Sequence, residues 1–449
     1  MRWIVSALIG LMLWCALVVS SIHKPFWLDE SNGIVLTLSG SNMDLIKAAQ
    51  GQCSVSPLYY ILDRAWLRTY SENPVLEWNL LVFFRLLPSL YFALSVFAAL
   101  LFLYRWIPSQ VSKSVKWNWV SRWLLPTWLG SLFATHSLAV YYAKETRPYS
   151  LWLLFSVVQF VMFLISAEWI SDRDWIRKRF AFWWAFAGVS FLLTMVSSVG
   201  MLQAATAFGL LVIFRSWIFK KWAWDEVKFF GMLLIPSVLA GLWYASQTPN
   251  CGMKPNSLKD YVGSVTTVIR DTAHSHRDRI WPSILCFLGM WQAWKQRLHR
   301  PSLALGGFLA MAFLALTLPL FVMTQLKQFF VAARQYIFLV PSLMFLMALG
   351  YMTVFQWVQK FLVLRRIQIK REIVWVVFVL LMLGDSSRRF IHIFHEGVWE
   401  LTSPASRELI SGRVMAPVAE ECKKPEFPYF PEQFNEFNSK CRSSLGSHE

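Results

Sequence analysis

The sequence predicts an all-α polytopic membrane protein. Three observations carry that reading. Of the 449 residues 56% are hydrophobic and only 15% charged, which does not describe water-soluble domains. Apolar runs close to the length that crosses a bilayer recur along most of the chain, and lipid forces each such segment to satisfy its own backbone hydrogen bonds. Lys and Arg also gather in alternate connecting segments, as the topology of a helical membrane protein requires. A β-barrel would instead show short alternating strands.

About eleven transmembrane helices follow in order. They run from Trp3 to Ile22, Leu81 to Leu103, Trp123 to Val140, Tyr149 to Ser166, Phe182 to Ser198 and Met201 to Phe214. Five more run from Phe229 to Ser246, Ile280 to Trp294, Leu303 to Met323, Tyr336 to Val358 and Ile373 to Gly384. The first is longer than a signal-peptide core and has only Arg2 before it, so it reads as an uncleaved anchor. The last is short for a crossing and is also readable as re-entrant or interfacial. With the N-terminus inside, the cytoplasmic segments hold 21 of the 43 Lys and Arg and 6 of the 26 Asp and Glu, leaving 22 basic and 20 acidic residues outside. Most of the net charge of +17 is therefore topological, and nucleic acid is not an expected partner.

The spans make up a transmembrane domain over residues 1–384, with a first outer loop at 23–80 and a tail at 385–449. The tail carries 10 acidic and 8 basic residues and five scattered prolines, so it is expected to be a small outer appendage rather than a second catalytic domain. Cys53, Cys251, Cys422 and Cys441 all fall on the outer side. Pairing of Cys53 with Cys251 and of Cys422 with Cys441 is one of three arrangements that four cysteines allow, and free thiols are the other outcome.

Chemistry is expected at the outer rim. The spans 182–198, 201–214, 303–323 and 336–358 contain no Asp, Glu, Lys, Arg or His, whereas an ion-coupled transporter places such groups near the midplane. Charged and aromatic residues cluster instead where spans emerge. Asp29 and Glu30 follow Trp27, with one carboxylate suited to act as base while its neighbour orients a partner; an acidic first turn of an interfacial helix is the plainer alternative. Residues 56–66 place Leu58, Ile61, Leu62, Ala65 and Trp66 at helical spacing, which reads as an amphipathic helix on the outer surface, with Tyr59 and Tyr60 as sugar-site or belt residues. Arg85 opens the second span as phosphate contact or snorkelling anchor. Lys144, Glu145, Arg147 and Tyr149 surround the bend at Pro148, and Arg334 and Tyr336 open the tenth span at the same level. A guanidinium holds phosphate in a planar, two-pronged way.

Taken in order, Trp27-Leu28-Asp29-Glu30, Pro57-Leu58-Tyr59-Tyr60 with Arg64 and Trp66 downstream, Arg85-Leu86-Leu87, Tyr142 through Tyr149, and Arg334-Gln335-Tyr336 leading to Pro341 resemble the landmarks of GT-C glycosyltransferases. The branch they look most like is the protein-mannosyltransferase-like and aminoarabinose-transferase-like group. Two departures stand out: Val55 and Ser56 precede Pro57 where that group commonly has a His, and Gln335 separates Arg334 from Tyr336. The resemblance implies an integral enzyme of the cell membrane, with a bacterial inner membrane as its setting. Such an enzyme takes a sugar from a polyprenyl phosphate donor and passes it to an acceptor on the extracytoplasmic face.

In that reading Asp29 is the base with Glu30 beside it, Arg147 and Arg334 hold the donor phosphate with Arg85 and Lys144 in reserve, and Tyr60, Tyr149, Tyr336 and Glu145 line the sugar or lipid. No cofactor is required, because cationic side chains neutralise a monophosphate leaving group. A divalent metal is the alternative, through His274 and His276 near Asp271 and Asp278, or through His392, His395 and Glu396. A transporter or flippase of a lipid-linked substrate is the competing function, using the same arginines without chemistry.

Overall fold

The structure is a computed structural model. It describes residues 2–21, 37, 42–43, 45–46, 57–71, 80–111, 123–247, 255–272, 280–297, 300–327, 331, 333–364, 373, 376–377, 380 and 384. Among these there is no strand. Helix α1 is Arg2–Ser21, α2 Leu58–Ser71, α3 Leu80–Val111, α4 Leu125–Ala134, α5 Ser137–Ala143, α6 Tyr149–Glu168, α7 Trp175–Lys178 and α8 Phe180–Val196. The chain continues through α9 Val199–Phe219, α10 Trp224–Gln247, α11 Leu258–Thr272, α12 Ile280–Lys295, α13 Pro301–Ala315 and α14 Thr317–Lys327. A 3-10 segment, Ala333–Leu339, then leads into α15, Val340–Leu364. Seven helical stretches among the described residues are long and apolar enough to cross a membrane, and α8 is a shorter apolar helix. The eleventh expected span lies almost wholly outside the described residues, and the tail, Cys53, Cys251, Cys422 and Cys441 lie outside them altogether. Cys15 and Cys286 are free thiols.

Three expected spans are interrupted, each for a local chemical reason. The third breaks between α4 and α5. Thr135 turns its hydroxyl onto the Ser131 carbonyl at 2.8 Å, and His136 adopts an extended backbone and caps α5 by accepting the Ala139 N–H on Nδ1. The ninth is divided at Leu316, because Pro319 has no N–H for the Ala315 carbonyl and its ring crowds it. The tenth begins as the tighter 3-10 segment and becomes α-helical next to Pro341, which also lacks a donor.

Helix α6 is the hub of the bundle, packed against α3, α5, α8, α13, α15 and the 3-10 segment. Helices α12 and α15 form another close pair. A Cβ built on Gly289 would run into the Leu346 carbonyl, and one on Gly350 into the Leu285 carbonyl. Glycine on each partner is what lets the two backbones approach, as is common between helices in lipid. Side-chain amides add polar links inside the bundle: Trp152 donates to Gln203 at 3.0 Å, Gln203 to Ser156 at 3.3 Å, and Gln159 to Ser190 at 3.2 Å.

The two ends of the bundle differ. At the end assigned to the cytoplasm, the buried Arg215 guanidinium donates to the carbonyls of Ile170, Asp172 and Arg173 and pairs with Glu226. It also lies over the rings of Trp175 and Phe219. Two segments expected on one side, 167–181 and 215–228, are thus joined through one side chain. The opposite end holds the residues singled out for chemistry.

Candidate functional site

The site grows from the bend that follows the broken third span. Helix α5 ends at Ala143 and the chain turns through residues 144–148 into α6, with the Arg147 N–H donating to the Glu145 carbonyl at 2.8 Å. Ser150, in the first turn of α6, donates its hydroxyl to the Tyr142 carbonyl at 3.2 Å and closes the bend. Lys144, Glu145 and Thr146 are all buried, unusual for a charged pair unless other groups meet it.

Those groups arrive from elements distant in sequence. Arg334, on the 3-10 segment, and the Glu145 carboxylate both lie within electrostatic reach of the Tyr142 phenol. The Arg334 guanidinium carbon lies 5.9 Å from the centre of the Tyr149 ring, within cation–π range. The Tyr142 and Tyr149 rings are 5.0 Å apart, and Tyr141 lies edge-on to Tyr142 at 5.1 Å. The bend at Pro148 and the opening of the tenth span therefore meet, with Tyr142 between them.

Helix α3 brings Arg85 to the same rim. Ser89 donates its hydroxyl to the Ala143 carbonyl at 2.9 Å, and Arg85 lies one turn outward of Ser89 on the same helix face. Its guanidinium, 1% exposed, donates to the Ser21 carbonyl at 2.9 Å. Arg85 is thus a buried tie to the end of α1 and not a snorkelling anchor. The chain leaving α1 there leads to Asp29 and Glu30, both of which lie outside the described residues.

The remaining expected site residues occupy the walls. Tyr336 is buried and faces Tyr261 of α11 with ring centres 6.4 Å apart. Tyr60 is fully buried beside Tyr59, their rings edge-on at 5.2 Å, so neither is a belt residue. Helix α2 runs over α3 and α8, and Trp66 stacks on Phe83 at 4.9 Å while donating to its carbonyl. Its buried stripe is Tyr59, Tyr60, Asp63 and Arg64, whereas Leu58, Ile61 and Leu62 are half-buried and Ala65 is exposed. Leu58, Ile61 and Leu62 still pack partly against the core and Trp66 stacks on Phe83, so the apolar stripe read from the sequence is shared between the protein and its surroundings.

Two positioning features had little sequence signal. The buried His136 reaches Thr272, the last residue of α11, from Nε2 at 3.1 Å, so one imidazole joins α11 to the helix that carries Tyr142. The Asn256 side chain pairs with both the N–H and the carbonyl of Val331, at 2.6 and 2.8 Å, fixing the chain two residues before the 3-10 segment. Only the contacts reveal them. Beside Ala333, the neighbour of Arg334, an open polar trough is lined by Lys259, Asp260, Gly263, Ser264 and Thr267 of α11. Among the described residues no three His, Cys, Asp or Glu come together as a metal site, and His274, His276, Asp278, His392, His395 and Glu396 lie outside them.

Comparison with known proteins bears on the fold. No protein-family model matches the sequence, and no curated protein matches it. Solved structures do. ArnT from Cupriavidus metallidurans bound to undecaprenyl phosphate superposes with a TM-score of 0.50 at 12% identity, covering 96% of this chain and 81% of that one. The apo state of the same protein gives a TM-score of 0.52 at 12% identity, over 93% of this chain and 78% of that one. The likeness is one of architecture over nearly the whole length, and it shows the chain to have the membrane-embedded helical fold of ArnT, the fold expected of the GT-C superfamily.

Proposed function

We propose that this protein is an integral membrane glycosyltransferase that moves a sugar from a polyprenyl phosphate donor to an acceptor hydroxyl on the extracytoplasmic face, with inversion at the anomeric carbon. The observation that carries the proposal is the meeting of Arg334 with Tyr142, Glu145 and Tyr149 at the rim where Arg85 ties down the end of α1. Cationic groups from several elements sharing one plane suit an anionic headgroup. The ArnT structure holding undecaprenyl phosphate supports the same ligand class here.

In the proposed reaction a carboxylate, Asp29 with Glu30 beside it, takes the proton of the acceptor hydroxyl as that oxygen attacks the anomeric carbon. The bond to the donor phosphate breaks on the opposite side. Arg334 and Arg147 neutralise the departing lipid phosphate, with Arg85 and Lys144 close by, and the Tyr142 and Tyr149 rings wall the sugar. This chemistry asks for no metal, because the phosphate leaves with a single phosphoryl group and fixed cations face it.

The test is incubation of the full chain in lipid nanodiscs with a panel of labelled polyprenyl phosphate sugars, reading free lipid phosphate. Consumption of one donor, abolished by Asp29→Asn with donor binding retained, is expected. Binding and transbilayer movement of a donor without cleavage would replace this reading with that of a flippase.

A further inference from the structure

Helix α2 grips the chain that precedes it through two adjacent side chains. Arg64 is buried and donates from Nε to the Thr37 carbonyl at 2.8 Å and from Nη1 to the Asn42 side-chain oxygen at 3.0 Å. Asp63 is fully buried, accepts the Thr37 hydroxyl on Oδ2 at 3.2 Å, and among the described residues has no hydrogen-bond partner on Oδ1. Thr37 and Asn42 belong to the outer segment between Asp29–Glu30 and α2. Two consecutive polar side chains on the protein-facing stripe of an otherwise amphipathic helix, both directed at one short stretch of chain, make a clamp.

We propose that Asp63 and Arg64 form a latch that holds the chain at Thr37 and Asn42, which follow the candidate base Asp29 and Glu30 in the sequence. They are positioning residues, not catalytic ones. What the latch serves rests on the function proposed above; the latch itself is measured without turnover.

The chemistry of Asp63 makes the latch sensitive to pH. A buried carboxylate with one long hydrogen bond is poorly stabilised in its charged form, and burial pushes the Asp63 carboxyl from 3.8 up to about 8. Among the described residues the titratable or charged groups around it are Tyr91 of α3, and Tyr59, Tyr60 and Arg64 of α2. These are phenols and a guanidinium, whose ordinary titration lies above this range. A group whose closed-state value is raised takes up a proton on closing between the two values. The latch is therefore firmest near pH 4, loosens as pH rises, and changes no further above about 8.

Hydrogen exchange on the full chain in nanodiscs, corrected for intrinsic rates, tests this through the peptide carrying Thr37 and Asn42. Protection in the unmodified protein is expected to fall with pH from 5 to 8, by up to about tenfold per unit. Asp63→Asn, which cannot ionise, is expected to abolish that slope. Arg64→Ala is expected to lower protection by at least about tenfold at every pH, the scale of lost bonds to a charged group, with peptides of α3 and α6 unchanged. Arg64→Lys, which keeps the charge and loses the fork, should fall between and serves if the alanine variant does not fold. Where turnover is measurable, Arg64→Ala is expected to reduce kcat while leaving the donor KM within about twofold. Unchanged protection in both Arg64 variants, or a pH slope that survives Asp63→Asn, overturns the latch. The expected exchange pattern in a protein that consumes no donor leaves the latch standing and removes the transferase reading.

Discussion

Arg334 shows what a single side chain does at the rim. It lies over the Tyr149 ring, near the Tyr142 phenol and Glu145, so its guanidinium is confined before any ligand arrives, and a confined cation loses less freedom on binding phosphate. Arg334→Ala is expected to raise the donor KM by about 10- to 100-fold, the range for hydrogen bonds to charged groups, and Tyr142→Phe by less than about tenfold, since only a hydroxyl near Arg334 is removed and the ring remains. Titration of both variants with an unhydrolysable polyprenyl phosphate analogue measures this; equal effects would show that Tyr142, not Arg334, meets the ligand. The sequence made Arg334, Arg147 and Lys144 legible because charge at a membrane edge is conspicuous. It could not show that Tyr142 bridges two clusters, because nearly two hundred residues of chain separate Tyr142 from Arg334. Asp63 was equally obscure: its place beside Tyr59 and Tyr60 on a helix is readable, but the side from which Thr37 approaches is a tertiary matter.

At the scale of elements, the third span matters because it is broken. His136 both starts α5 and holds Thr272, so His136→Ala is expected to cost about 1 kcal/mol as a lost cap and to loosen α11 against α5. Exchange of the peptide ending at Thr272 reads the second effect, which a cap alone would not produce. The glycines of α12 and α15 make a sharper prediction. Gly289→Leu or Gly350→Leu is expected to lower the melting temperature markedly, since overpacking against a backbone costs on the order of 1–3 kcal/mol or more. Gly188→Ala, where a Cβ meets nothing within 4 Å, is expected to be neutral or stabilising by up to about 1 kcal/mol. If all three variants melt alike, the α12–α15 contact is not a close backbone approach. Periodicity and length placed these helices well, but interruptions by Thr135, Pro319 and Pro341 required knowing which carbonyl each residue leaves or takes.

The whole molecule separates its tasks by end. One rim gathers the groups suited to phosphate, and the other is tied by Arg215 to three carbonyls and Glu226. Arg215→Ala leaves Glu226 without that partner and the 170–173 carbonyls without their donor, so it is expected to destabilise the fold by about 3–5 kcal/mol, as for breaking a buried pair. Because that contact lies at the opposite end of the bundle, turnover per folded molecule, on the function proposed above, is expected to stay within about twofold of the unmodified protein. A scan of melting temperature and activity on the same preparation checks both, and a selective loss of activity would mean that the two ends are coupled. The architecture was legible from hydropathy and the placement of Lys and Arg, since the bilayer imposes both; the pairing of segments across it was not, because lipid dictates where helices lie but not which neighbours they choose.

Helix α2 buries Tyr59, Tyr60, Asp63 and Arg64 against the protein, whereas Leu58, Ile61 and Leu62 are only partly covered by the core and Ala65 is exposed. The surrounding lipid then completes the covering of that side. Micelles of short-chain detergent, which curve away from such a surface, should let this cover lift and depress turnover, and return to a flat bilayer should restore it without any change in the polypeptide.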